Sequence, residues 1–252
     1  MIATEPAITP AHIASYREHG FFILERAIAP DHLDLLRDEA RHFIDKIHAD
    51  MDRAGSDVLG INHRNKRYFI SNRYKESPRL GDFLFSDLMA QICLATLGPE
   101  AYLFYEQYVI KAAEVGMKFA WHQDSGYVGH PHRQYVSCWC ALDDMTVDNG
   151  TIYVLPYDRA GTRETVEHVV EAGTNDKVGY HGTDSGIPVI VPAGSIAVFS
   201  STCFHRSGAN TTKNMRRVYL AQYSAEPILN KDGIRLQGLA EPFLKSGATI
   251  AR

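Results

Sequence analysis

The sequence predicts a mainly β fold, a sandwich or a barrel, with a helical N-terminal third packed against it. After residue 100 the chain consists of short aromatic and β-branched runs separated by Gly, Pro, Asn and Asp, which is typical of strands joined by tight turns. Between Leu33 and Ile47 the apolar residues recur at intervals of three and four, as they do in amphipathic helices. The chain has no internal repeat or linker, so we expect 1–100 and 101–252 to form one domain.

Three helices and one strand are predicted in the N-terminal third. The first helix lies in ITPAHIASYREHG, where Thr9 is a suitable N-cap and Pro10 suits the first helical position. The strand FFILERAI follows at residues 21–28. The second helix begins at PDHLDLL and has one apolar stripe. The third lies in SDLMAQICLATLG, with Ser86 as N-cap and Gly98 as the stop signal.

Most strands of the β part are predicted in five runs. The runs are AYLFYEQYVIKAA, QYVSCWCALDDM, GTIYVLPYD, IPVIVPAGSIAVFSS and RRVYLAQYSA. The Asn149-Gly150 pair, just before the strand of the third run, is a strong signal for a tight turn. Side chains two residues apart on a strand project to the same face, so polar residues at that spacing indicate candidate sites.

Composition and charge narrow the classes of partner. The formal net charge of −4 offers no basic field for nucleic acid, and no apolar run is long enough for a membrane span. The four Cys residues match no structural zinc spacing, and MIATEPAITP does not resemble a signal peptide. We therefore expect a cytoplasmic protein that acts on a small molecule, with neither nucleic acid nor membrane as partner. The basic stretch at 61–75 favours a solvated loop over a loop that attracts an anionic substrate.

Two histidines and one aspartate form the candidate metal site. On a strand, His122 and Asp124 would present an imidazole and a carboxylate side by side. His205 ends a later apolar run and would lie opposite them if the sheet closes on itself. Two imidazoles and one carboxylate on one face of a metal suit non-haem Fe(II) and O2 chemistry. Taken alone the H-x-D pattern is common, and core histidines are often only hydrogen-bonded.

An arginine lies eleven residues after His205, a spacing that allows a strand, a turn and a returning strand. Arg216 begins the returning strand, where its guanidinium could hold the distal carboxylate of a co-substrate such as 2-oxoglutarate. Ser207 could add a hydroxyl donor to the same carboxylate. Arg217 is expected to point to the opposite face of the strand.

With these residues the sequence resembles the phytanoyl-CoA dioxygenase family of Fe(II)/2-oxoglutarate oxygenases. The resemblance is carried by GFFILERAIAP, WHQD, VSCWCALDDMTVDNGTIYVLP and HRSGANTTKNMRR, in the family's order. It implies a double-stranded β-helix, or jelly roll, with flanking helices. The residues that it implies for the site are His122, Asp124 and His205 as iron ligands, Arg216 and Ser207 for 2-oxoglutarate, and Trp139, Lys111 and Gln107 in the pocket.

The resemblance implies hydroxylation of a substrate C–H bond with release of succinate and CO2. The chain departs from the family pattern at 156–159, where PYDR lacks the usual Gly and His, so the substrate does not follow from the family. A small polar or anionic substrate, such as an organophosphonate, is favoured. The alternatives are an oxygenase of a natural product, an amino acid or an acyl-CoA, a cupin-type isomerase or hydrolase, and a non-catalytic cupin-like metal-binding protein.

Overall fold

Two antiparallel sheets face each other, and helices cover the outer side of the larger one. The structure, a computed structural model, describes residues 8–113, 118–171 and 177–251. The predicted mainly β fold with flanking helices is confirmed, and its two sheets are those of the jelly roll that the resemblance implies. None of the described helices is both long and apolar enough to cross a membrane.

The three helices predicted in the N-terminal third begin as predicted, and a fourth, short helix at Pro78–Leu84 was not predicted. The hydroxyl of Thr9 accepts the backbone N–H of His12 over 3.3 Å, and Gly20 ends the first helix with a φ of 87°. The second helix extends to residue 54 and buries the stripe that contains Leu36, Ala40 and Phe43. The described helices are α1 (Pro10–His19), α2 (Pro30–Ala54), α3 (Pro78–Leu84), α4 (Asp87–Thr96) and α5 (Tyr157–Ala160), with a 3-10 helix at Asp124–Tyr127.

The strands pair mostly with neighbours that are distant in sequence. They are β1 (Phe21–Leu24), β2 (Val58–Leu59), β3 (Asn62–His63), β4 (Arg67–Ser71), β5 (Ala101–Lys111), β6 (Phe119–His122), β7 (Val136–Ala141), β8 (Ile152–Leu155), β9 (Val169–Val170), β10 (Lys177–Val178), β11 (Ile187–Pro188), β12 (Ile196–Ser200), β13 (Phe204–Ser207), β14 (Arg216–Ser224), β15 (Glu241–Lys245) and β16 (Ala248–Thr249). The large sheet has the order β1-β12-β7-β14-β5-β4-β3-β2, with β15 and β16 at the other end of β5. The small sheet has the order β11-β8-β13-β6.

The large sheet separates two apolar layers. Cys138 and Cys140 point from β7 towards the helices and join the larger cluster, together with Phe43 of α2. Trp139, between them, points to the opposite side and packs in the space between the sheets. All four cysteines are buried and unpaired. The alternation along β7 therefore assigns one face to the core and the other to the interior of the jelly roll.

Two boundaries in the N-terminal third differ from the prediction. The strand predicted at 21–28 ends at Leu24, because the chain turns at Arg26, which has a φ of 48°. The stretch at 61–75 is only partly a loop, since Arg67–Ser71 form β4, which pairs along its length with β5. Tyr68 and Ile70 alternate with Arg67, Phe69 and Ser71 and are buried in the core, and burying them outweighs the local charge.

Candidate active site

His122, Asp124 and His205 meet at one point between the sheets. β13 pairs with β6 so that His205 lies directly opposite His122, as the sequence predicted. Asp124 does not lie on the strand, which ends at His122; it begins the 3-10 helix that follows. The prediction of a strand at Asp124 was wrong, because the chain turns at the Ser-Gly pair after it. Even so, the candidate ligand atoms all lie within 4.8 Å of one another.

Backbone carbonyls orient both imidazoles. Nδ1 of His122 lies 2.8 Å from the carbonyl oxygen of Ala120, and Nδ1 of His205 lies 3.2 Å from that of Cys203. A carbonyl can only accept, so Nδ1 carries the proton in each ring and Nε2 keeps its lone pair. Burial, and then the neighbouring imidazole, lower the pKa of His122 to about 3 and keep that ring neutral.

Two polar side chains from the large sheet hold the carboxylate of Asp124. Ser137 Oγ donates to Oδ2 over 2.5 Å, and Gln222 Nε2 donates to the same oxygen over 2.9 Å. Oδ1 is left facing Nε2 of His205, 3.5 Å away. Sequence reasoning missed Ser137 and Gln222. The signal was present, because each is a lone amide or hydroxyl among buried strand residues.

The donor set fits a ferrous ion. Two imidazole nitrogens and one carboxylate oxygen are the ligands of the facial arrangement that non-haem Fe(II) adopts, and their lone pairs converge here. Each ligand is also hydrogen-bonded on its far side, which is typical of metal sites. The role of the three residues as iron ligands stays a prediction.

The cluster opens into a cavity of about 950 Å³ between the sheets. Residues from both sheets line it, including Arg67 and Phe69 of β4 in the large sheet. Of the other residues predicted for the site, the structure places Arg216, Ser207, Trp139 and Gln107 in its lining. Lys111 is buried beside the cavity, and its ammonium donates to the hydroxyl of Ser207 over 2.8 Å and to the carbonyl of Gly208. Gln107 also donates to Ser71 over 2.7 Å.

Arg216 is a buried cation without a carboxylate partner in the described chain. It is 1% exposed, and among the described residues its guanidinium donates only to the carbonyls of Val109 and Gly150, at 3.3 and 3.0 Å. Its Nε is buried with no hydrogen-bond partner among the described residues. Burial lowers the pKa of Arg216 to about 10. The guanidinium lies 5.8 Å from the ring centre of Trp139, so a ligand carboxylate beside that ring would complete its hydrogen bonding.

Other polar side chains near these residues divide between the lining of the cavity and the rest of the molecule. Arg217 pairs with Asp143 at 2.6 Å on the opposite side of β14, as predicted. Tyr105 lines the cavity, whereas the Tyr108 hydroxyl donates to a carbonyl of α2 in the core. Within 61–75, Arg67 lines the cavity and Arg64 does not.

The segment 156–159, where the chain departs from the family pattern, begins at the N-cap of α5 and forms most of that helix. The hydroxyl of Tyr157 lies 2.9 Å from that of Thr202, and Arg159 pairs with Asp184. None of the four residues at 156–159 is among the described residues that line the cavity.

Comparison with known proteins agrees with this geometry. Residues 16–218 match the sequence profile of the family described as phytanoyl-CoA dioxygenase (PhyH). The peroxisomal phytanoyl-CoA dioxygenase of Mus musculus is 22% identical over 230 residues, and the match covers 83% of this chain and 66% of that protein. A probable phytanoyl-CoA dioxygenase of Caenorhabditis elegans is 28% identical over 134 residues, which cover 49% of this chain and 43% of that protein. The chain thus spans just under two thirds of one relative and less than half of the other.

A solved structure shares the fold over most of its length. EctD from S. alaskensis, determined with 2-oxoglutarate and 5-hydroxyectoine, superposes with a TM-score of 0.70 at 20% identity. The superposition covers 93% of this chain and 83% of that one. The resemblance stated from sequence motifs is confirmed by the family match, and the fold by the superposition.

Proposed function

The chain belongs to the phytanoyl-CoA dioxygenase family, and on that premise we propose that it is an Fe(II)- and 2-oxoglutarate-dependent dioxygenase that hydroxylates a C–H bond of a small polar or anionic substrate. One observation carries the proposal. The His122, Asp124 and His205 cluster and the buried guanidinium of Arg216 belong to the same cavity. A metal that leaves positions open and a cation that lacks a carboxylate are the two requirements for binding a 2-oxo diacid.

Each residue of the cluster has a defined task. His122, Asp124 and His205 hold the ion through Nε2, Oδ1 and Nε2, because the other polar atom of each side chain is already hydrogen-bonded. Ser137 and Gln222 fix the rotation of the Asp124 carboxylate. When bound, Fe(II) supplies the O2 activation and the oxidative decarboxylation of 2-oxoglutarate to succinate and CO2 that accompany C–H hydroxylation.

Arg216 holds the distal carboxylate of 2-oxoglutarate. Ser207 lines the same cavity, is hydrogen-bonded to Lys111, and is two residues from His205 on β13, so Ser207 and His205 both project to the cavity, about 7 Å apart along the strand. That separation is comparable with the length of a short dicarboxylate. Trp139 forms the wall next to the guanidinium, and Lys111 orients the Ser207 hydroxyl and adds positive charge.

The size of the cavity supports a small substrate. About 950 Å³ must contain both 2-oxoglutarate and the substrate, and cavities of this size hold molecules no larger than a typical drug. A long-chain acyl-CoA would extend far outside it. Organophosphonates, amino acids and small natural products all satisfy the limit.

The single-domain organisation of 1–100 with 101–252 is also a proposal. It is supported by the pairing of β1 and β4, from the N-terminal part, with strands of the C-terminal part within the large sheet.

Anaerobic addition of Fe(II) and 2-oxoglutarate tests the proposed chemistry. We expect a weak visible charge-transfer band that requires both additions, followed in air by succinate release that pools of small organic acids, phosphonates and amino acids accelerate. Metal binding without the band, and no succinate with any pool, would instead indicate a cupin-like metal-binding protein. The accelerating pool identifies the substrate class.

A further inference from the structure

Three cations lie side by side across the large sheet. Arg67 on β4 pairs in register with Lys111 on β5, and Lys111 pairs in register with Arg216 on β14. Directly opposed residues of antiparallel strands project to the same face, here the face towards the cavity. Like charges at such positions repel each other, so negative charge close to the two arginines would stabilise the row.

The described residues place no carboxylate within ion-pair distance of either arginine, Arg67 or Arg216. Arg67 Nε donates over 3.0 Å to the carbonyl of Ile61, which leaves the rest of the guanidinium for other partners. Arg64, three residues earlier, is by contrast paired with both Asp52 and Asp57.

The lining of the cavity also contains more basic than acidic residues. Asp124 is the single acidic residue among the described lining residues, and it belongs to the metal cluster. A further lining cation, Arg206, is already engaged, since its guanidinium lies 3.9 Å from the ring centre of Tyr153 and donates to the carbonyl of Ser185. Besides Arg216, Arg67 is therefore the lining cation most available to a ligand.

One diacid cannot neutralise the whole row. β4 and β14 lie on either side of β5, so the backbones at Arg67 and Arg216 are about 10 Å apart. A carboxylate held at Arg216 by a ligand that also reaches the metal cluster stays at that end of the row. The Arg67 end then requires a second anion, and the substrate is the molecule that shares the cavity.

We propose that Arg67 binds an oxyanion of the substrate, a phosphonate, phosphate or carboxylate group, and so determines substrate specificity. Phe69 and Phe119, which contact each other edge to face at 5.4 Å, line the cavity next to it and pack against the carbon part of the substrate. This inference rests on the proposed function. It restricts the substrate to molecules whose anionic group lies at the β4 side of the cavity, away from the 2-oxoglutarate position.

Calorimetric titration with small anions tests the role of Arg67. The protein is loaded with Zn(II) and saturating 2-oxoglutarate, which prevents turnover, and is titrated with inorganic phosphate and, separately, with acetate. We expect Arg67→Gln to weaken binding of the preferred anion by at least about 10-fold, as for loss of a charged hydrogen bond. Arg67→Lys should retain part of the affinity. Arg64→Gln, the matched control with its arginine already ion-paired, should bind like the parent protein.

The preferred anion distinguishes the two chemical sources, because tighter phosphate binding indicates a phosphorus oxyanion and tighter acetate binding a carboxylate. Absence of binding by the parent protein, or equal binding by the Arg67→Gln variant, would overturn the inference. 2-Oxoglutarate affinity is measured first in every variant. If the parent protein does not bind 2-oxoglutarate, the proposed function fails. Whether anion binding depends on Arg67 is a separate result, and it tests the role of Arg67 in either case.

Discussion

Nε2 of Gln222 lies 2.9 Å from Oδ2 of Asp124, on the far side of the carboxylate from His205. Gln222 also donates to Ser137 Oγ over 2.9 Å, so amide, hydroxyl and carboxylate form one buried network. The network occupies Oδ2 and leaves Oδ1 towards the two histidines. Asp124 is thus oriented by the large sheet although it belongs to a turn next to the small one.

Removing this amide should weaken metal binding without removing a ligand. We expect Gln222→Leu to lower the affinity for Mn(II) or Co(II) by about 10-fold or more, as is common when a partner of a metal-bound carboxylate is lost. Equilibrium dialysis gives the affinity, and the visible spectrum of the Co(II) form gives the ligand geometry. Gln107→Leu, which changes a cavity glutamine bonded to Ser71, is the matched control. Equal affinities in the two variants would contradict the role of Gln222.

The adjacent arginines of β14 should have opposite effects. Arg216→Ala should weaken 2-oxoglutarate binding by about 10- to 100-fold, because it removes a charge-assisted pair. Arg217→Ala should leave 2-oxoglutarate affinity near that of the parent protein, and should lower the free energy of unfolding because Asp143 loses its partner. Titration of the charge-transfer band measures the first effect and chemical denaturation the second. A larger loss of 2-oxoglutarate affinity in Arg217→Ala than in Arg216→Ala would show that Arg217, and not Arg216, binds the distal carboxylate.

Glu106 predicts a pH dependence of stability that is independent of the metal site. It is fully buried on the core side of β5, where burial raises its pKa from 4.5 to about 6 despite hydrogen bonds from the backbone N–H groups of Arg73 and Tyr74. A carboxyl with a raised folded pKa contributes stability below pH 4.5, and that contribution is lost as the pH rises past about 6.

The Glu106→Gln variant should abolish this loss. Relative to the parent protein, its free energy of unfolding should increase by about 2 kcal/mol between pH 4.5 and pH 7, the equivalent of the raised pKa. Denaturant titrations at a series of pH values measure the difference. Glu226→Gln, at an exposed position, should show no such trend. A difference between Glu106→Gln and the parent that stays constant with pH would show that Glu106 is ionised as easily in the folded as in the unfolded chain.

Local pattern predicted much of the fold and the main site residues. Thr9, Pro10 and Gly20 specify α1 through side-chain and backbone chemistry that acts within one helical turn. Alternation along VSCWCA specifies that Trp139 and its two neighbouring cysteines face opposite sides. The register of His205 opposite His122 followed from the expectation that the sheet closes, and the structure confirms it.

The remainder depends on contacts between distant segments. The pairing of β4 with β5 buries Tyr68 and Ile70, and no local signal in 61–75 outweighs its charge. Gln222 is 98 residues from Asp124, so their hydrogen bond follows only from the folded arrangement of both sheets. The turn at Asp124 likewise depends on Ser125, whose N–H and hydroxyl bind Ser201.

Anaerobic Fe(II) titration of single-residue variants tests most directly whether His122, Asp124 and His205 together bind the iron. We expect one tightly bound Fe(II) per chain in the parent protein, and the same stoichiometry and affinity in His181→Ala, which changes an exposed histidine. His122→Ala and His205→Ala should each abolish tight binding. Retention of tightly bound iron in either of these two variants would contradict the account.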